Sequence, residues 1–141
     1  MEDGGPSIFT MIIEGQIPCH KVYEDELVFA FLDINPFSSG HTLVVPKEPA
    51  RTLDQLSDES AGALGRVLPR ISKAVLEATG AKEFNVLQNN GQNAFQSVFH
   101  VHFHIIPKFE DGTGLSWPFK SQPLDNEEAS SLAKSISELI G

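Results

Sequence analysis

Three of the five histidines in the 141-residue chain alternate with apolar residues in one stretch, Phe99-His-Val-His-Phe-His-Ile-Ile-Pro107. Successive side chains of a β-strand point to opposite faces of the sheet. A strand here would place the imidazoles of His100, His102 and His104 on one face, with same-face neighbours about 6.5–7 Å apart. Folding alone requires no titratable rings in this arrangement, so the pattern indicates a site that surrounds one small ligand.

Two kinds of chemistry fit such a face. A His-x-His pattern on a strand is typical of zinc ligands, with a third ligand from elsewhere. The same rings also suit phosphate chemistry, in which one imidazole is the nucleophile and the others supply protons and stabilise charge. The segment before the strand is rich in amide and hydroxyl donors, namely Asn89, Asn90, Gly91, Gln92, Asn93, Gln96 and Ser97. Such donors suit a phosphate better than a metal.

Composition narrows the class of ligand. The formal charge of −9 and the pI near 4.9 argue against broad binding to nucleic acid or to anionic membranes. A single cysteine, Cys19, excludes an internal disulfide framework and a multi-cysteine zinc site, and it fits a reducing compartment. The acidic start, Met1 to Pro6, is unlike a signal or transit peptide. We therefore expect a cytoplasmic protein, with the nucleus as a second location, and no membrane span.

The elements that must position these residues indicate a single α+β domain over residues 1–141. Strands are predicted at Lys21–Glu24, Leu27–Leu32, His41–Val45, Glu83–Leu87 and Phe99–Ile106, and they predict a mostly antiparallel five-stranded sheet. Apolar spacing predicts one long helix, Ser57–Thr79, with Ser57 as N-cap and Gly80 as C-cap, and one short C-terminal helix, Glu127–Ile140. Residues up to Pro6 read as a flexible segment, and residues 109–125 read as a surface loop.

The chain resembles the histidine-triad (HIT) family of nucleotide-binding proteins over about Ile8 to Lys108. His100-Val-His-Phe-His-Ile-Ile106 matches the family pattern of three histidines alternating with apolar residues. Further matching segments occur in the family order: Ile8-Phe9, Glu14-Gly-Gln-Ile-Pro18, Phe31-Leu-Asp-Ile34, Gly40-His-Thr-Leu-Val-Val-Pro-Lys47 and Gln96-Ser-Val98. The resemblance implies a HIT-like fold, usually assembled as a homodimer through the long helix and a strand.

The resemblance also implies a purine nucleotide substrate that is cleaved at the α-phosphorus. His102 matches the nucleophile that becomes adenylylated, and Ser97 matches a donor towards the leaving group. Three accompanying histidines correspond to His100, His104 and His41. The nucleotide pocket corresponds to Asp33 at the ribose, to Asn89 and Gln96 along ribose and phosphate, and to Phe9, Ile12, Ile34 and Leu43 around the base. Trp117-Pro118 resembles a Trp-Pro pair that approaches the partner's site in one branch of the family.

The family branches differ in substrate and in metal content. Gln96-Ser97 favours the phosphoramidase branch, which releases AMP from adenosine phosphoramidates or acyl-adenylates, over the diadenosine polyphosphate hydrolases. Two alternatives remain: a non-catalytic nucleotide-binding regulatory protein and a metalloprotein that uses the strand histidines. Some members hold zinc with two N-terminal cysteines, where this chain has Ser7 and Thr10, so we expect neither a metal nor another cofactor. Phe95 stands where the family usually has glycine.

Overall fold

A five-stranded antiparallel sheet forms the centre of the computed structural model, which describes residues 6–140. The strands in chain order are β1 (Lys21–Glu24), β2 (Val28–Leu32), β3 (Thr42–Pro46), β4 (Glu83–Gln88) and β5 (Phe103–Lys108). Hydrogen bonding arranges them in the order β1-β2-β3-β5-β4. The α+β fold class and the antiparallel sheet are thus confirmed. The first five residues of the predicted flexible segment, and Gly141, lie outside the described residues.

Three α-helices accompany the sheet: α1 (Ile8–Ile13), α2 (Asp58–Thr79) and α3 (Asn126–Ile140). The long helix α2 begins as predicted, because the Ser57 hydroxyl accepts a hydrogen bond from the Ser60 amide at 3.1 Å. It ends at Gly80, whose φ of 80° is the left-handed conformation that favours glycine. Both predicted helices are therefore confirmed, whereas α1 was not predicted.

The alternation of side chains in β2 explains how the sheet carries a helix on each face. Val28 and Ala30 point towards α2 and pack with its buried stripe, Ala63, Leu64, Val67, Ile71 and Val75. Phe29 and Phe31 point to the opposite face and pack with Phe9 of α1, together with Leu43 and Val45 of β3. The face under α1 is the one that matters for the site.

The predicted histidine strand is wrong in its bounds. The prediction was Phe99–Ile106, whereas β5 begins at Phe103 and continues to Lys108. The pairing explains the difference, because β3 pairs with β5 only from Phe103 to Ile105. His100 and His102 lie in the extended segment that precedes β5. Smaller shifts occur in β2 and β3, each of which begins one residue later than predicted.

The C-terminal part of the chain contributes little to this core. Helix α3 exposes all four apolar residues that the sequence placed on one face, Leu132, Ile136, Leu139 and Ile140. The segment from residue 109 to 125 contains no helix or strand, as predicted for a loop. Between residues 6 and 140, no helix has both the length and the apolar character needed to cross a bilayer.

Candidate active site

His102 is held by the backbone of its own segment. Its Nδ1 lies 2.7 Å from the carbonyl oxygen of His100. Because a carbonyl can only accept, Nδ1 carries the hydrogen and donates it. The lone pair of a neutral ring then resides on Nε2, which is the atom an imidazole would use to attack phosphorus. The segment itself is tied down by the Val101 amide, which donates to the carbonyl of Ala50 at 2.9 Å.

His100 uses both of its ring nitrogens within the protein. Nε2 donates to the carbonyl oxygen of Pro46 at 2.7 Å, which fixes the hydrogen on Nε2. Nδ1 is then an acceptor, and the hydroxyl of Ser7 donates to it at 3.0 Å. His100 is also almost completely buried. Both nitrogens of His100 thus have partners within the protein, and its predicted catalytic role stays a prediction.

His41 and His104 form a directed pair. The Phe37 amide donates to Nδ1 of His41 at 3.0 Å, so Nε2 of His41 carries the hydrogen. That Nε2 lies 2.9 Å from Nδ1 of His104, which must accept, and the hydrogen of neutral His104 is then on Nε2. A carboxylate oxygen of Asp33 lies 3.5 Å from the same nitrogen of His41. The site thus contains a nucleophilic Nε2 on His102 and a donating Nε2–H on His104.

Burial keeps these four rings neutral. Desolvation is the largest cause that lowers the pKa of His41, His100 and His102 below the usual histidine value. Burial, together with the neighbouring His102 and His41, lowers the pKa of His104 to about 4, although Asp33 opposes the shift. Neutral rings are what nucleophilic attack and directed proton donation both require at neutral pH.

The rings of His41, His102 and His104 pack against one another and against Phe9. The centroids of His102 and His104 are 4.9 Å apart, and those of His41 and His104 are 5.1 Å apart. The ring of Phe9 stands edge-on to His102 with centroids 4.9 Å apart. Helix α1 therefore forms one wall around the His102 ring.

The predicted base slot has an inner and an outer part. Phe9 and Leu43 are buried in the core under α1, and Ile12 is half-buried beside them. Ile34 is 81% exposed, so its side chain is free to cover a ligand. Asp33 accepts a hydrogen bond from the Asn35 amide at 2.8 Å, which caps the turn. A carboxylate that binds ribose would make this contact as well. The nucleotide contacts of these residues stay predictions.

The loop before the histidines is built around Gln96. This buried side chain accepts from the Gly91 amide at 2.7 Å and donates to the carbonyls of Arg51 and Val98. All its hydrogen-bonding groups thus shape the loop, which is a role that sequence reasoning missed. Asn89 is half-buried with its amide 3.4 Å from the Phe95 carbonyl, and Ser97 is exposed. The predicted contacts of these three polar side chains with substrate stay predictions.

One group of side chains has the composition of a metal site. Asp33, His41 and His104 place ligand atoms within 4.8 Å of one another. However, the amide of Phe37 occupies Nδ1 of His41, so Nε2 of the neutral ring has no lone pair for a metal. The group suits proton transfer better than metal binding. The expectation of no metal stays a prediction.

Comparison with known proteins shows which family the chain belongs to. Residues 14–111 match the family model described as HIT domain. An adenosine 5'-monophosphoramidase of Schizosaccharomyces pombe is 50% identical over 135 residues, which are 94% of this chain and 97% of the relative. An adenylylsulfatase of Arabidopsis thaliana is 45% identical over 103 residues, which are 73% of this chain and 52% of that protein. The crystal structure of a HIT family protein from Bacillus anthracis superimposes with a TM-score of 0.90 at 40% identity, covering 95% of this chain and 96% of that one.

Proposed function

The chain belongs to the HIT family and is a nucleotide hydrolase of that family, and we propose that it releases AMP from adenosine phosphoramidates or acyl-adenylates. The observation that carries the proposal is the state of His102. Its Nδ1 donates to the carbonyl of His100, which leaves the lone pair on Nε2, and the centroid of its ring lies 4.9 Å from that of His104. We infer that this nitrogen attacks the α-phosphorus and forms a covalent nucleotidyl-histidine.

The first half-reaction forms one bond and breaks another. Nε2 of His102 donates its lone pair to phosphorus, and the bond from phosphorus to the leaving group breaks. The leaving atom takes a proton from the hydroxyl of Ser97, which is exposed on the segment leading to the histidines and takes a proton from solvent water in return. The Nε2–H of His104 supplies a hydrogen bond to the phosphoryl oxygens, where negative charge grows in the transition state.

The second half-reaction returns the enzyme to its starting state. Water attacks phosphorus, the bond from phosphorus to His102 Nε2 breaks, and the ring regains its lone pair. The proton lost by the attacking water passes to solvent and balances the proton that solvent supplied through Ser97. Neutral imidazole is a good leaving group from a phosphorylated imidazolium, so two easier displacements replace one difficult displacement.

The choice of substrate rests on relatives. One relative is named for cleaving adenosine 5'-monophosphoramidate and another for cleaving an adenylyl sulfate. We propose the same class of adenylyl substrates for this chain, with diadenosine polyphosphates as the competing class. Turnover of an adenosine phosphoramidate measured beside that of a diadenosine polyphosphate separates the two. A higher kcat/KM for the dinucleotide would overturn the assignment, and AMP binding without turnover of either would indicate a regulatory nucleotide-binding protein.

Trapping the intermediate tests the mechanism. Wild-type protein mixed with substrate and denatured rapidly should carry one AMP per chain, located on His102 by peptide mass spectrometry. His102→Ala should lose turnover and the adduct while it retains AMP binding. The matched control is His20→Ala, which removes the exposed fifth histidine and should leave turnover and the adduct unchanged. Near wild-type turnover by His102→Ala would instead mean that water attacks directly.

We also propose that the protein is a homodimer joined through α2 and β4. Strand β4 is an edge of the sheet and exposes Phe84 and Val86. With Leu68, Pro69 and Leu76 of α2 these residues line a groove of about 700 Å³. An apolar groove beside an unpaired edge suits a second copy of the chain.

Paired substitutions on the two sheet edges test the dimer. Val86→Lys places a charge in the groove and should give a monomer by light scattering. Val22→Lys places the same charge at a similarly exposed position on β1, the opposite edge, and should leave the dimer intact. A monomeric wild-type protein at micromolar concentration would refute the assembly.

A cytoplasmic location, with the nucleus as a second one, is part of the same proposal and is tested by imaging a fluorescent fusion.

A further inference from the structure

We propose that Ser7 is a positioning residue for the attacking histidine, acting through His100, an inference that rests on the proposed role of His102. Ser7 lies immediately before α1 and is 93 residues from His100 along the chain. The Ser7 side chain is nevertheless buried, and its hydroxyl contacts the ring of His100. From the family resemblance we inferred only that this position lacks the zinc-binding cysteine of some members.

The hydrogen bonds around Ser7 have one consistent direction. The Thr10 amide donates to the Ser7 hydroxyl oxygen at 3.1 Å, which is the N-cap contact of α1. Because Pro46 fixes the hydrogen of His100 on Nε2, Nδ1 has only a lone pair to offer. The Ser7 hydroxyl must therefore donate its single hydrogen to Nδ1, at 3.0 Å.

This arrangement links two neighbours of the attacking ring. His100 presents the carbonyl that holds Nδ1 of His102, so the orientation of His100 affects which nitrogen of His102 is free. Helix α1, which Ser7 caps, presents the Phe9 ring that stands edge-on to His102. The Ser7 hydroxyl thus connects helix α1 to His100, and each of these contacts His102. Removal of the hydroxyl should let His100 sample other orientations and should leave His102 less well aligned.

A cap alone would explain the burial of Ser7, so the experiment must separate capping from positioning. Ser7→Ala loses both contacts, whereas Ser7→Gly loses the hydroxyl with little penalty as a cap because glycine is tolerated at that position. Ser7→Thr retains the hydroxyl and is the rescue variant. Ser57→Ala removes the corresponding cap of α2, away from the histidines, and is the matched control.

We expect kcat for an adenosine phosphoramidate to fall about tenfold in Ser7→Ala and Ser7→Gly, which is the usual effect of one lost hydrogen bond. KM should change much less, because no nucleotide contact is removed. Ser7→Thr should recover most of the rate, and Ser57→Ala should keep the wild-type kcat even where it lowers stability.

Nitrogen NMR of the histidine rings provides a readout that a purely structural role would not move. Wild-type His102 should show a single form with hydrogen on Nδ1, whereas both hydroxyl-free variants should show a mixture of the two His102 tautomers. An unchanged kcat or an unchanged His102 signal in folded Ser7→Gly would overturn the proposal. If wild-type protein turned over no adenylyl substrate, the proposed function would fail, whereas the tautomer measurement would still test the Ser7 contact itself.

Discussion

His41 and His104, which are 63 residues apart in the chain, lie with Nε2 of the first 2.9 Å from Nδ1 of the second. The Phe37 amide behind His41 gives this contact its direction, because it occupies the only other nitrogen of that ring. The result is a donating Nε2–H on His104 that faces away from His41. A backbone amide outside the histidine motif thus sets the protonation of a ring within it.

Substitution of His41 should slow turnover without removing it. His41→Leu removes the donor to His104, so the Nε2–H of His104 is no longer enforced and we expect kcat to fall about ten- to a hundredfold. His41→Gln, whose amide can still donate, should lose less. Steady-state kinetics on an adenosine phosphoramidate measure both effects. Equal losses in the two variants would show that His41 contributes packing only.

Acid should destabilise the folded protein before its carboxylates titrate. The four site histidines have lowered pKa values, and that of His104 is about 4, whereas an unfolded histidine titrates near 6.5. Between these values the unfolded chain binds more protons, so the free energy of unfolding falls as the pH drops below about 6.5. Each histidine that stays neutral contributes up to about 1.4 kcal/mol per pH unit. Urea denaturation at pH 7, 6 and 5 should show this slope.

Removal of the His104 ring tests how much of this pH dependence of the unfolding free energy comes from the site. His104→Gln removes one depressed group and should lose stability less steeply with acid, whereas His20→Gln should follow the wild type. A slope that is identical in all three proteins would contradict the predicted protonation of His104.

Asp33 should distinguish ribose from dideoxyribose. Asp33→Ala should weaken AMP binding about ten- to a hundredfold, and it should weaken a 2',3'-dideoxy analogue much less, because a charge-assisted hydrogen bond is lost only with the hydroxyls. Asp33→Asn keeps an oxygen for the Asn35 amide and is the control for the turn. Calorimetric titration with both ligands measures the difference. Similar losses for the two ligands would mean that Asp33 serves only the turn.

Phe95 should be a strained residue whose replacement by glycine is better tolerated than replacement by alanine. Its φ is 72°, in the left-handed region that costs a non-glycine residue about 1 kcal/mol or more, and its side chain is 79% exposed. Phe95→Gly should therefore be about 1 kcal/mol more stable to urea than Phe95→Ala. Ala94→Gly, in the adjacent short 3-10 turn, should be destabilising. Equal stability of the two Phe95 variants would count against the strain.

The wild-type protein should contain no stoichiometric zinc after dialysis. The hydroxyls of Ser7 and Thr10 lie 3.3 Å apart beside Nδ1 of His100, at positions where cysteines would supply thiolate ligands. The double variant Ser7→Cys, Thr10→Cys should gain zinc by elemental analysis. One tightly held zinc per wild-type chain, with activity lost on chelation, would refute the prediction.

The sequence alone determined the parts of this protein that follow from periodicity and local chemistry. Apolar spacing between Ser57 and Gly80 defined α2 with both of its caps, because helix period and capping are properties of neighbouring residues. Short β-branched and aromatic segments likewise identified all five strands. The alternation of three histidines indicated a shared site, and together with the matching segments between Ile8 and Lys108 it indicated a family.

Tertiary structure decided which nitrogen of His41, His100 and His104 carries hydrogen. That choice depends on the carbonyl of Pro46 and the amide of Phe37, neither of which belongs to the histidine motif. The six-residue helix α1 also depends on long-range packing, because so short a helix is not stable alone. Periodicity records which side of a strand a residue occupies, whereas hydrogen-bond direction depends on atoms that folding brings from distant positions in the chain.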